Sequence, residues 1–295
     1  MSPQETNSLV QDLIEAGIHF GQRSSGWNPR MERFIYGKRN GIHIIDIKET
    51  VKGLLLAKKY IERTVAGGKD ICFVGTKRQA KEVIHQRVGD VNMHWVTERW
   101  LGGTLTNFRT IRERLKRLEE LETIEENDNF ASYSKKMESQ LRREKRKISR
   151  NLSGIRKMEK LPGAVVVIDV RRETNALREA RKLGIPTIAL IDTDGDPESV
   201  DIAIPGNDDS MRSIDVIIRE LCLAISEGKQ GRSIQQAADE SKGEGGGGDS
   251  ERPRRSRRAQ YRANDSSAGA PSDEDAGSTP GATAGQNDAV AAKAD

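Results

Sequence analysis

The chain has 295 residues, enough for one or two domains with a sizeable core, yet 32% of it is charged and only 4% aromatic, so part of it is not expected to pack. The net charge of +4 is unevenly spread: from Arg232 onward 9 Lys and Arg stand against 11 Asp and Glu, and the other 40 basic and 34 acidic residues carry about +6. A modestly basic folded part with dense local clusters suits a polyanion, and no apolar run approaches the roughly 20 residues that span a bilayer.

The N-terminus, MSPQETNSLVQDLIEAG, has no basic region before an apolar stretch and does not read as a secretory signal. A cytoplasmic location is expected. Cys72 and Cys222 lie inside apolar runs and read as buried thiols in a reducing compartment.

Leu9, Val10, Leu13 and Ile14 have the spacing of a short amphipathic helix, with Gly17 placed as its C-cap. IHFGQRSSGWNPRM follows, rich in Gly, Ser, Asn and Pro, and reads as an ordered loop. It offers Arg23, Trp27, Asn28 and Arg30, a mixture suited to phosphate contact and base stacking. Trp27 serves equally well to pin the loop to the core. RFIYGKRNGIHIIDI reads as two strands around the Asn40-Gly41 turn, with Lys38 and Arg39 at the tip.

Residues 51 to 65 are helical by period. DICFVG is a short buried strand, and TKRQAKEVIHQRV a helix with Thr76 as its expected N-cap. A strand that runs through glycine into a helix start is where α/β proteins bind phosphate. Here the turn offers Gly75, Thr76, Lys77 and Arg78. It matches neither G-x-G-x-x-G nor G-x-x-x-x-G-K-[ST], and two cations at the end of a strand can equally serve an RNA phosphate.

NMHWV reads as a short strand. The stretch WLGGTLTNFR then marks where the compact pattern gives way to a charged arm. It brings Arg99, Trp100, Asn107 and Arg109, with Arg112 just beyond. Leu115, Leu118 and Leu121 form a narrow seam, and 127–129 breaks it. A second helical pattern continues with Met137, Leu141, Ile148, Leu152 and Ile155. Two long helices with thin seams predict an antiparallel hairpin projecting from the domain. Its segment RREKRKISR concentrates Arg142, Arg143, Lys145, Arg146, Lys147 and Arg150 around one acid, which favours nucleic acid over a plain solvated face.

After Leu161-Pro162, AVVVIDV and PTIALIDT read as parallel strands buried on both faces, separated by a helix ending at Gly184. DIAI is a short strand, and a last helix is expected from Ser210 to Ser226. Asp192, Asp194 and Asp196 imitate the start of a calcium loop. Pro197 and Ala203 stand where such a loop needs Gly and Glu, so no calcium site is expected, and turn capping accounts for the aspartates. Beyond Gly231 the composition loses all periodicity, and the tail is expected to be disordered, with a basic cluster at Arg252–Arg258.

No catalytic constellation emerges. His19, His43, His85 and His94 form no metal spacing, and neither H-E-x-x-H nor G-x-S-x-G occurs. His43, beside Asp46, reads as a structural hydrogen-bonder. The sequence thus predicts no enzyme, no cofactor and no metal. The alternative is a flavodoxin-like nucleotide-binding enzyme using the Gly75 turn, and a third reading makes the arm a protein-docking coiled coil only.

The series AGIHFGQ…WNPRM, IYGKRNGIHIID, FVGTKRQA, RWLGGTLTNF, LPGAVVVID, EARKLGIPTIALIDTDGDP and VDIAIPGNDDSMRSI closely resembles the bacterial small-subunit ribosomal protein S2 family over Leu9 to Ser226. The resemblance implies a three-layer α/β/α flavodoxin-like domain with a mainly parallel five-stranded sheet, formed by 1–108 and 159–228. It also implies a helical coiled-coil hairpin at 109–158 and a separate tail at 229–295. It implies a structural constituent of the small ribosomal subunit, with a role in translation. That constituent binds 16S ribosomal RNA at the head–body junction and helps dock the multi-OB-fold ribosomal protein that captures messenger RNA. No homo-oligomer is expected. The family pattern after HFG usually carries a second histidine, and Gln22 stands here instead, so that loop is not expected to hold a metal.

Overall fold

The structure, a computed structural model, describes residues 3–127 and 134–244. Helix α1 covers Pro3–Ala16. Strand β1 (Phe20–Arg23) and, after a 3-10 turn at Pro29–Phe34, strands β2 (Ile35–Arg39) and β3 (Ile42–Ile45) form a small antiparallel sheet ordered β1-β3-β2. Then come α2 (Ile47–Ala66), β4 (Ile71–Val74), α3 (Arg78–Asp90), β5 (His94–Val96), α4 (Phe108–Glu126) and α5 (Lys135–Leu152). The described chain ends with β6 (Ala164–Ile168), α6 (Thr174–Lys182), β7 (Thr187–Ile191), β8 (Ile202–Pro205) and α7 (Met211–Glu244).

The second sheet has five strands in the order β5-β4-β6-β7-β8, and every pair is parallel. This order reverses direction between β4 and β6, as in flavodoxin-like α/β proteins. Successive side chains of a strand point to opposite faces, so the apolar runs ICFV, AVVVI and TIALI must fill two layers. Ile71, Phe73, Val166, Ile168, Ile188 and Leu190 enter one core with α1, α2, α3 and α7. Cys72, Val74, Val165, Val167, Ala189 and Ile191 enter the other, with α6 and the roots of α4 and α5. Both cysteines are buried and unpaired, and burial pushes each thiol up to about 12.

Close approaches fix the layers. A Cβ on Gly53 would stand 2.4 Å from the Ala203 carbonyl oxygen, so only glycine lets α2 lie directly on β8. Beside it the Thr50 hydroxyl donates to the Pro205 carbonyl at 2.6 Å. Asp46 caps α2 by accepting from the Lys48 amide.

Several expectations are corrected. FGQR is a strand and not loop, because Phe20 and Arg23 pair with Ile44 and Ile42 of β3. Thr76 does not cap α3: Lys77 holds that position without a side-chain bond, and the Thr76 hydroxyl donates to Glu173 instead. Helix α7 does not stop at Ser226 but runs to Glu244, since nothing between carries a Pro or forces a positive φ. The break expected at 127–129 lies partly outside the described residues, and the tail beyond 244 lies wholly outside them.

Candidate nucleic-acid interface

The carboxyl ends of β4, β6, β7 and β8 bring together the turn at Gly75 and the aspartates of IDTDG and GNDDS. This is where an open α/β sheet usually binds its ligand. Here the place is filled from within. The Lys77 ammonium lies 2.7 Å from Asp208, 2.6 Å from Asp209 and 3.7 Å from Asp169. Gln22 adds an amide that donates to Asp192 at 3.1 Å and to Asp209 at 2.6 Å. Burial pushes the Asp208 carboxyl up to about 7, against the pull of Lys77. Burial likewise pushes Asp192 up to about 6, against the bonds from Thr193 and Gln22. Of the backbone donors at this turn, Thr76 N–H donates to the Glu173 carboxylate at 2.9 Å. Lys77 is therefore spent inside the fold, whereas Arg78 beside it is exposed.

The aspartates that imitate a calcium loop have three separate tasks. Asp192 accepts from Gln22 and the Thr193 amide, Asp194 pairs with Arg171 at 2.7 Å, and Asp196 caps a 3-10 turn by accepting from the Glu198 amide.

The loop WLGGTLTN is built around one carboxylate. Glu179 of α6 accepts from the Trp100 indole at 3.0 Å, from the Gly103 amide at 2.8 Å, and from the Leu105 and Thr106 amides at 3.0 and 3.1 Å. The Thr106 hydroxyl adds a fifth bond. Burial opposes the charge, but these donors together hold the Glu179 carboxyl below the usual carboxylate range. Trp100 is buried in this cradle, so its ring is not offered to a partner. Gly103 needs its glycine for a φ of +92°, while Gly102 has open space around it. Asn107 and Arg109 are exposed, though Arg109 leans on Glu113.

Helices α4 and α5 lie side by side in opposite senses. Lys145 meets Glu125 near one end, Leu121 packs on Leu141, and Ile111, Leu115 and Leu152 join the domain core at the other. The cations of RREKRKISR divide into two sets. Arg142 pairs with Glu138, Lys145 with Glu125, and Arg150 with Glu98 at 2.7 Å. Arg143, Arg146 and Lys147 are exposed and meet no carboxylate among the described residues. Positions 143, 146 and 147 fall on one helical face. Of the other candidates, Arg112 donates to the Met158 carbonyl, Arg30 pairs with Asp196 and Glu198, and Arg99 is exposed.

The small sheet gathers a third group. Arg23 and Arg39 both stand opposite Ile42, so the three share one face, since directly paired residues do. That face is apolar: Phe20 is 48%, Tyr36 81% and Ile42 36% exposed, and a groove of about 690 Å³ beside it is lined by Val10, Tyr36, Ile44 and Val51. On the opposite face His43 is buried under Trp27, ring centres 5.0 Å apart. Neither ring nitrogen of His43 has a hydrogen-bond partner, which corrects the expected hydrogen-bonding role. Burial first, then Lys38, pulls its pKa down. Trp27 thus pins its loop, and Asn28 caps the 3-10 turn by accepting from the Arg30 amide.

Residues 13–228 match the family model described as Ribosomal protein S2. The chain belongs to the ribosomal protein S2 family. It is 56% identical over 232 residues to the small ribosomal subunit protein uS2 of Rhodopirellula baltica, covering 79% of this chain and 89% of that protein. It is 48% identical to the uS2 of Synechocystis over 76% of this chain and 83% of that one, and 46% identical to that of Acidothermus cellulolyticus over 78% and 84%. Ribosomal protein S2 is a structural protein of the small subunit, acting in translation and not as an enzyme, and its place is the cytoplasmic ribosome. Among the described residues no helix is long and apolar enough to cross a membrane. At the sheet edge the Thr76 amide is already engaged by Glu173 and Lys77 is already paired with Asp208.

What sequence reasoning missed was Glu179 and Glu173 as organisers, and the bonds of Gln22 to Asp192 and Asp209, which the sequence marked only as a missing histidine. Each looks like an ordinary polar residue on a helix or strand, and only long-range contact reveals its task.

Proposed function

We propose that this chain binds 16S ribosomal RNA at the head–body junction of the small subunit and helps dock the multi-OB-fold ribosomal protein that captures messenger RNA. Residues 109–158 act as an inserted coiled-coil hairpin on a discontinuous domain of 1–108 and 159–228, with 229–295 as a separate tail. The observation that carries the RNA reading is the division of the α5 cations. A cation already paired gains little from a phosphate, because it must first give up its carboxylate. Arg143, Arg146 and Lys147 have none to give up among the described residues, and they share a face. Arg23, Lys38 and Arg39 at the tip of the small sheet, with Arg78 and Arg99, are also exposed without a carboxylate partner among the described residues.

Binding of this kind releases counterions, so log K falls linearly with log salt, by roughly 0.7 to 0.9 per phosphate contact. The full chain titrated against ribosomal RNA fragments is expected to show a steep slope. The triple variant Arg143→Gln, Arg146→Gln and Lys147→Gln is expected to flatten it by about 2 to 3. A flat plot for the parent chain would sink the phosphate-driven reading. The docking half rests on the apolar face around Tyr36, whose exposure is unusual for so large a side chain.

A further inference from the structure

Two grooves line α5. One, of about 480 Å³, is edged by Lys135, Arg142 and Arg146. The other, of about 550 Å³, opens where α5 meets Leu101 of the WLGG loop. Its lining differs from that of a plain charged surface. Leu101, Ile148 and Leu152 form an apolar floor, and Arg114, Arg143 and Lys147 stand around it. Gln140 and Asn151 complete the rim, and among the described residues neither side-chain amide has a hydrogen-bond partner, nor have the three cations. The Glu144 carboxylate on the same wall is engaged by Arg117 at 3.6 Å.

We propose that this cleft takes one unstacked ribonucleotide of a single-stranded RNA segment, with the base over Leu101 and Ile148 and its phosphates on Arg114, Arg143 and Lys147. The inference rests on the RNA-binding reading above and adds what kind of RNA the hairpin root recognises. The volume falls in the range of small-ligand sites, about 300–1,000 Å³. Arg143 and Lys147 lie four residues apart, about 6 Å along the helix, which is on the scale of consecutive phosphates in an RNA strand. A duplex keeps its bases stacked and offers only its backbone, whereas single-stranded loops present base faces and edges. An apolar floor beside free amides is of use only to the second. Arg114, Gln140 and Asn151 thereby become binding residues, none of which stood out by charge density.

The amides separate this proposal from the broader one, because their loss leaves the charge unchanged. Full-length protein is titrated with a fluorescent single-stranded oligoribonucleotide of mixed sequence and with the same strand annealed to its complement, at matched salt. The parent is expected to prefer the single strand about tenfold. Gln140→Leu with Asn151→Leu is expected to lose that preference while keeping the salt slope, and its circular dichroism and melting temperature confirm folding. Equal affinity of the parent for both forms, or a double variant that keeps the preference, overturns the cleft and leaves the phosphate-driven reading standing. No binding to either form overturns both. Polyglutamate serves as a control for an acidic protein partner: displacement of the oligomer at equal charge concentration would overturn the assignment to RNA.

Discussion

At the scale of single residues, Glu179 shows how much organisation one carboxylate supplies. It answers five donors from a loop that has no regular structure of its own. Glu179→Gln keeps the shape but presents an NH₂ to backbone amides, and charge-assisted bonds are worth more than neutral ones. A loss of about 2 kcal/mol is expected, read as a lower midpoint in urea, with faster hydrogen exchange at the Leu105 and Thr106 amides. Since the folded pKa of Glu179 is depressed, its contribution is present above the ordinary carboxylate pKa and is lost as pH falls through the folded value. Asp192 has the opposite sign. Its carboxyl is raised from 3.8 to about 6, so the associated stability is full below the unfolded value and is lost as pH rises toward 6. Asp192→Asn removes that charge and keeps an acceptor for Gln22. The variant is expected to gain on the parent by about 2 kcal/mol between pH 4 and pH 7, measured as the difference between their melting curves. A difference that does not change with pH would show that Asp192 carries no such penalty.

At the scale of elements, glycines decide where layers may touch. A Cβ on Gly154, just beyond α5, would fall 2.2 Å from the Trp95 carbonyl oxygen. Gly154→Ala must therefore push the end of α5 off β5, at a cost of about 2 to 3 kcal/mol, seen as a lower melting temperature with the CD spectrum unchanged. The strands of the five-stranded sheet were legible because ICFV, AVVVI and TIALI are apolar at every position, a pattern that only burial on both faces explains. Strand β1 was not legible. FGQR is four residues long, holds a glycine and is half polar, and it is a strand only because β3 lies beside it. The end of α7 was misread for a related reason: EGKQGRS contains two glycines, yet Gly228 packs against α2, where a Cβ would lie 2.7 Å from the Glu62 carbonyl oxygen. Close packing, and not a chain break, is what that glycine serves. The candidate cations were legible as a cluster, but which of them are already neutralised depends on Glu98, Glu125 and Glu138, and two of those three lie on other elements.

At the scale of the whole molecule, the two proposed contact faces sit at opposite ends of one sheet. The free cations of α5 lie on the helix whose end, through a 3-10 turn at Ser153–Ile155, rests on Trp95 of β5, the first strand in the sheet order. The apolar face of β1-β3-β2 is joined to the other half, through Asn28 and Gln22 to Thr193 after β7 and through Ile18 to Asn207 after β8. Sites this far apart with no shared partner act independently, and their effects add within about 0.5 kcal/mol. Tyr36→Ser with Ile42→Ser changes no charge and removes exposed apolar surface only. It is expected to leave the salt slope as in the parent, because Arg23, Lys38 and Arg39 beside these positions keep their charges, while small subunits carrying it recover less of the multi-OB-fold protein on sedimentation. The α5 triple variant is expected to do the reverse, lowering incorporation into subunits more steeply as salt rises. Combining both sets should give the sum of the two losses in free energy. A combined loss well beyond that sum would mean that RNA and protein docking are coupled through the sheet, and the five parallel strands between the two faces, buried on both sides and bounded by close glycine contacts, would then be the element that transmits it.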